Sequence, residues 1–154
     1  MRLSRRQDGY SLIEILVVVL IVAILIAIAV PLFVSLRRQA DDVAAKESAA
    51  LAVKVARTIQ EDGTYAGVGQ PQLAATEPSL TFVDAATSST GPTVVSQEIT
   101  GTSVLVVSVF SQAGTCFLAR DVVDVGTELG RIEPSSVADC RADNTAAVVF
   151  GPTW

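Results

Sequence analysis

The sequence predicts an α+β fold: a long N-terminal α-helix, membrane-spanning in its first half, packed on a small antiparallel sheet of three to four strands. Three observations predict it. Residues 15–34 are twenty consecutive positions without a charge. At 1.5 Å per residue, such a helix crosses roughly 30 Å of hydrocarbon. The next stretch, up to Gly63, keeps an apolar helical period. Beyond Val94, short β-branched runs alternate with turn residues.

Charge divides the chain in the same way. Eleven basic and sixteen acidic side chains give a net charge of −5. Arg2, Arg5 and Arg6 oppose only Asp8 in the first nine residues. The remainder carries eight basic against fifteen acidic side chains, a net of −7. A basic tip on an acidic body argues against unspecific nucleic-acid binding, which depends on phosphate neutralisation by Lys and Arg. The chain has no histidine, so the commonest general base and metal ligand is missing.

The basic start followed by an apolar run fits either a cleaved secretory signal or an uncleaved anchor. The run exceeds the usual 7–15-residue core of a signal peptide. It ends in Pro31, Leu32, Phe33 and Val34 and is followed by Arg37 and Arg38, not by small residues at signal-peptidase spacing. Retention is therefore expected. The positive-inside tendency keeps the three leader arginines cytoplasmic and sends the C-terminal body outward; Arg37 and Arg38 on the far side oppose this slightly. A plain anchor has no use for Glu14. A carboxylate at membrane depth costs several kcal/mol unless it is neutralised or paired.

Gly9-Tyr10-Ser11-Leu12-Ile13-Glu14, the apolar run and Pro31 together resemble the class III signal of type IV prepilins and pseudopilins. Tyr10 stands where that family usually has Phe, and Ala23 stands near the place of a glycine often found in mid-run. The resemblance implies a cleaved basic leader at 1–9, cut between Gly9 and Tyr10 by a membrane-embedded prepilin peptidase that also N-methylates Tyr10. It implies that Glu14 meets the N-terminal amine of a neighbouring subunit, and that Pro31 kinks the helix. In low dielectric an unpaired charge is the expensive state, so Glu14 acts as a docking and register device. Residues 10–35 form the transmembrane and filament-core half of the helix.

Residues 36–63 form the amphipathic half. Leu36, Ala40, Val43, Ala44, Leu51, Val55 and Ile59 recur at helical spacing. A helix over 11–62 is expected, with Gly63 as its C-cap. Packing within the chain is expected for about 51–59, and packing between subunits before it. Residues 64–154 form the C-terminal globular domain. Residues 65–93 are rich in Gly, Pro, Ser and Thr and read as a long irregular connection. Strands are expected at 94–99, 102–110, 116–123 and 146–150, with a hairpin about Gly101. Cys116 and Cys140 lie in the exported part, where an even count reads as one disulfide; two reduced core cysteines are the alternative. A disulfide would pin residues 124–139, where a short helical turn is expected after Pro134-Ser135.

Asp121, Asp124, Glu128 and Glu133 gather in the C-terminal third, but their spacing matches no cation loop and a solvated acidic face is the simpler reading. No metal, cofactor or enzymatic activity is expected. The resemblance leaves three functional readings. The chain is the structural subunit of a homo-oligomeric type IV pilus-like filament, built by an ATPase-driven assembly platform; or a minor pilin or secretion pseudopilin aiding adhesion, DNA uptake or export; or a membrane-anchored binding module that never polymerises. The precursor is expected in the inner membrane as a single-pass protein with its C-terminal domain outside, and the product in an extracellular or periplasmic filament.

Overall fold

The computed structural model describes residues 10–133, 135–146 and 148–154. The leader, with Gly9, lies outside the described residues. The chain forms two compact units that divide between Arg37 and Arg38. The elements run α1 (Leu12–Thr58), α2 (Gln70–Thr76), β1 (Thr81–Val83), β2 (Val94–Thr100), β3 (Val104–Phe110), β4 (Cys116–Val122), β5 (Gly126–Ile132) and a 3₁₀ turn at Val137–Asp139.

In the first unit α1 is apolar on every face, with a mean hydropathy of 3.5 over its most apolar window and none of that window buried. In the second unit α1 is amphipathic. Ala45, Ala49, Ala52, Val53, Val55 and Ala56 are buried. Alanine favours helix and, being small, lets the helix axis come close to the sheet. Opposite it lie Val95, Leu105, Val107, Val109, Phe117 and Ala119 in the same core.

The sheet has five strands in the order β1-β2-β3-β4-β5. β1 pairs with β2 in parallel, and all other neighbours are antiparallel. The fold class is as expected, with one strand more than the upper count. From Leu105 to Phe110 β3 is buried at every position. Both faces of the sheet are therefore covered, which explains a sequence that is apolar except for the buried Ser108. The second face packs Phe110, Cys116, Leu118 and Cys140 together, with Ile132, Val148 and Phe150 around them.

Several expected bounds are corrected. α1 ends at Thr58, not at Asp62. Asp62 and Gly63 both have positive φ, 51° and 68°, in a tight turn closed by Thr64 N–H donating to Glu61 O at 3.0 Å. Two successive left-handed residues suit Asp-Gly in a reversing turn better than a helix cap. The long connection holds α2, entered through Pro71 in its first turn, where a missing N–H does no harm. The strand expected at 146–150 is absent among the described residues of that stretch. The tail instead makes one bridge to β5, between Leu129 and Gly151. β5 runs through the segment expected to be an irregular disulfide loop, and the 3₁₀ turn follows it.

Two buried serines tie the connection to the sheet. Ser89 Oγ accepts from Phe110 N–H at 2.8 Å, and Ser89 N–H donates to Cys140 O at 2.8 Å. Ser96 Oγ donates to Asp84 O at 3.1 Å and accepts from Ala142 N–H at 3.0 Å. The Cys116–Cys140 disulfide closes the same region, with Cα atoms 5.3 Å apart and a sequence separation of 24. Replacing both cysteines by Ser is expected to cost about 3.5 kcal/mol by the chain-entropy relation. Denaturant midpoints of the oxidised and double-Ser proteins measure this, and a difference under about 1 kcal/mol would contradict the entropic account.

Candidate functional site

The first candidate is the start of α1. Helical geometry begins at Leu12, because Ser11 and Glu14 cap the helix reciprocally. Ser11 Oγ accepts from Ile13 N–H at 3.3 Å, and the Glu14 carboxylate accepts from Ser11 N–H at 2.9 Å. The backbone adds Glu14 N–H and Ile15 N–H to Ser11 O at 3.1 and 3.3 Å. The glutamate half is that of a capping box, while the serine hydroxyl takes the second helical amide instead of the third; together they satisfy amide donors that a helix start otherwise leaves without partners. A carboxylate in the first turn also suits the positive end of the helix dipole.

The surroundings of this start are apolar and open. Tyr10 is 83% exposed, Leu12 78% and Ile13 67%. Every residue from 10 to 40 is exposed. An apolar surface of this extent marks a site of contact with lipid or protein. Among the described residues, Glu14 accepts only from Ser11 N–H and forms no ion pair. Pro31 lies inside α1, which continues through it. Its ring cannot donate to the carbonyl of Ala27. Nearby, Ser35 Oγ donates to Leu32 O at 2.9 Å.

The second candidate is a polar cluster where α1 ends on the sheet. Asp121 of β4 is 2% exposed. Its carboxylate accepts from Arg57 Nε at 3.0 Å, from Arg57 Nη2, from the Tyr65 hydroxyl, and from Thr127 Oγ1 at 2.6 Å. Thr127 also accepts from Arg57 at 2.9 Å. Tyr65 is held by its own N–H donating to Thr102 O at 2.8 Å. Burial opposes ionisation of Asp121, but the donors from Arg57, Thr127 and Tyr65 prevail and hold its pKa below the usual carboxylate value. Burial first, and then the bond to Asp121, push the Tyr65 phenol far above its ordinary range. The bond to Asp121 raises Arg57. The arrangement joins the helix end, the following turn and two strands, and Arg57 and Asp121 also line a cleft with Gln60, Gly63 and the β4–β5 turn.

The four gathered acids are separately engaged. Asp121 belongs to this cluster. Glu128 accepts from Arg120 Nε at 3.0 Å, and Glu133 lies 3.7 Å from Arg131. Asp124 occupies a turn position with φ 64°. Among the described residues no three metal-binding side chains converge.

Sequence reasoning singled out Glu14 for docking but overlooked its capping role, although Ser-x-x-Glu at a helix start is a local signature. It also missed the Arg57–Asp121 pair. Its partners lie 64 residues apart, and no local pattern marks such a contact.

Residues 4–30 match the family model described as the prokaryotic N-terminal methylation motif. No curated protein and no solved structure matches the chain.

Proposed function

We propose that this chain is a type IV pilin-like protein, anchored in the membrane as a precursor and processed at its N-terminus, and that it is the structural subunit of a type IV pilus-like filament; the methylation-motif match at residues 4–30 supports the reading. The observation that carries the reading is an uncovered apolar helix with one carboxylate at its start. Lipid satisfies the apolar surface but does nothing for Glu14. Packing against the same segment of other copies satisfies both.

In this reading residues 1–9 are the removed leader, 10–35 the filament core, 36–63 the rest of the helix with its closing turn, which carries the globular domain, and 64–154 that domain. Prepilin peptidase cuts between Gly9 and Tyr10 and methylates Tyr10. The new amine of an incoming subunit pairs with Glu14 of one already in place. Pro31, which removes one backbone bond, is where the helix yields. An assembly ATPase and membrane platform extract the subunit from the bilayer, and the filament stands outside the cytoplasmic membrane.

Mass spectrometry of the mature protein tests the reading. The expected N-terminus is Tyr10 carrying one added methyl, in a protein abundant in sheared surface filaments. An intact Met1 would defeat the processing step. Correct processing without filaments would favour a minor or pseudopilin role.

A further inference from the structure

Arg37 and Arg38 break a rule that the leader arginines obey. Positive charge collects on the cytoplasmic side of a membrane span, yet this doublet follows the apolar run, at the other end from Arg2, Arg5 and Arg6. Both side chains are exposed. Neither forms an ion pair among the described residues, although acids stand within reach. Asp41 lies four residues beyond Arg37, and Asp42 four beyond Arg38, the spacing at which opposite charges on a helix meet. Asp42 is engaged elsewhere: its carboxylate accepts from the hydroxyl of the buried Ser111. Two guanidinium groups therefore follow the span without a carboxylate partner.

Length gives the doublet a definite depth. Residues 15–36 carry no charge, and at 1.5 Å per residue they extend about 33 Å, slightly more than roughly 30 Å of hydrocarbon. With Glu14 at one boundary, the doublet reaches the headgroups of the opposite leaflet. We propose that Arg37 and Arg38 bind the phosphate groups of anionic phospholipid in the outer leaflet and so fix the depth of the span. The proposal rests on the membrane-anchored reading above and holds whatever the chain later builds. A guanidinium presents paired donors that match phosphate oxygens, and its aliphatic stem lies along apolar surface while the charged head reaches the interface. Lipid is the favoured source of the phosphate. Beyond the leader, eight basic against fifteen acidic side chains leave a net charge of −7, which repels a soluble anion, whereas the apolar span delivers the doublet to the bilayer regardless.

Reconstitution of the full chain tests the contact. The chain is inserted into phosphatidylcholine vesicles, with or without phosphatidylglycerol, and native mass spectrometry counts the lipids that stay bound after transfer to detergent. Replacing both residues (Arg37→Gln with Arg38→Gln) is expected to lower the preference for phosphatidylglycerol about twenty-five-fold, or about fivefold for each arginine. The leader arginines are the same in every variant and cancel. Arg37→Lys with Arg38→Lys keeps the charge and is expected to stay within about threefold of the unaltered chain; a fall as large as that of the glutamine variant would overturn the electrostatic basis. Inorganic phosphate is compared with chloride at equal ionic strength. Displacement of the lipid by phosphate beyond that by chloride would make the doublet a soluble-anion site and overturn the proposal. If the unaltered chain inserts and the glutamine variant matches its lipid preference, the proposal alone fails. If the unaltered chain does not enter the vesicles, the membrane reading fails with it.

Discussion

Glu14→Ala is expected to eliminate surface filaments while the mature N-terminus remains Tyr10. The physical reason is the state left behind. In the proposed filament, a processed subunit entering the apolar core carries a new amine, and without Glu14 that amine would be buried uncompensated. Breaking a buried pair by removing one partner costs about 3–5 kcal/mol, which corresponds to roughly a hundredfold or more in the subunit concentration needed for assembly. Immunoblots of sheared fractions and electron microscopy read the outcome. Glu14→Gln separates the two roles of this side chain. Glutamine accepts the hydrogen bond from Ser11 N–H as a cap does, but carries no charge. If Glu14→Gln assembles normally, capping is the function of this residue and charge pairing is not.

Asp121→Ala is expected to destabilise the globular domain by about 2–4 kcal/mol, on the order of 10 °C in Tm. The substitution strands the Tyr65 hydroxyl, which is buried with its residue 1% exposed, and releases Arg57 from its carboxylate. The lower end of the range applies because the Arg57 side chain is 47% exposed and recovers water. Asp121→Asn keeps the shape and removes the charge, so a smaller loss is expected. Thermal unfolding of the detergent-solubilised protein measures both. A loss below about 0.5 kcal/mol, the size of an ordinary surface substitution, would show that the cluster does not hold the helix end.

The same cluster sets the pH limits of the domain. Folding lowers the Asp121 pKa, so its contribution is complete above the unfolded value near 4 and is lost as pH falls through the lower folded value. Folding raises the Tyr65 pKa, so that contribution is complete below the unfolded value near 10 and is lost in stronger alkali. Unfolding midpoints should therefore fall below about pH 4 and above about pH 10, and Asp121→Ala should flatten the acid limb.

The helix and the strands that form the middle of the sheet were legible in the residues. Residues 15–34 admit no other reading than an apolar span, and β3 is dense in valine. α2 carried a readable start in Pro71, but glycines and prolines around it outweighed that signal. β5, with Gly126, Glu128, Gly130 and Arg131, has poor strand propensity. It exists because the edge of β4 offers a ladder from Cys116 to Val122. The tail at 146–150 shows the converse. Its residues favour a strand, but among the described residues the pairing with β5 is the single bridge of Leu129 to Gly151 just beyond it, and the side chains of Val148 and Phe150 lie across Gly130.

What the amino-acid order determined was whatever depends on neighbours within a few turns: the charge-free span, the leader pattern around Glu14 and the apolar helical period that follows it. These are properties of one segment and its solvent. The Asp121 cluster, the burial of both sheet faces and the fate of β5 depend on which distant surfaces meet. Chain closure over 64 residues leaves no local trace, and only the packed fold decides which of several available partners each polar group receives.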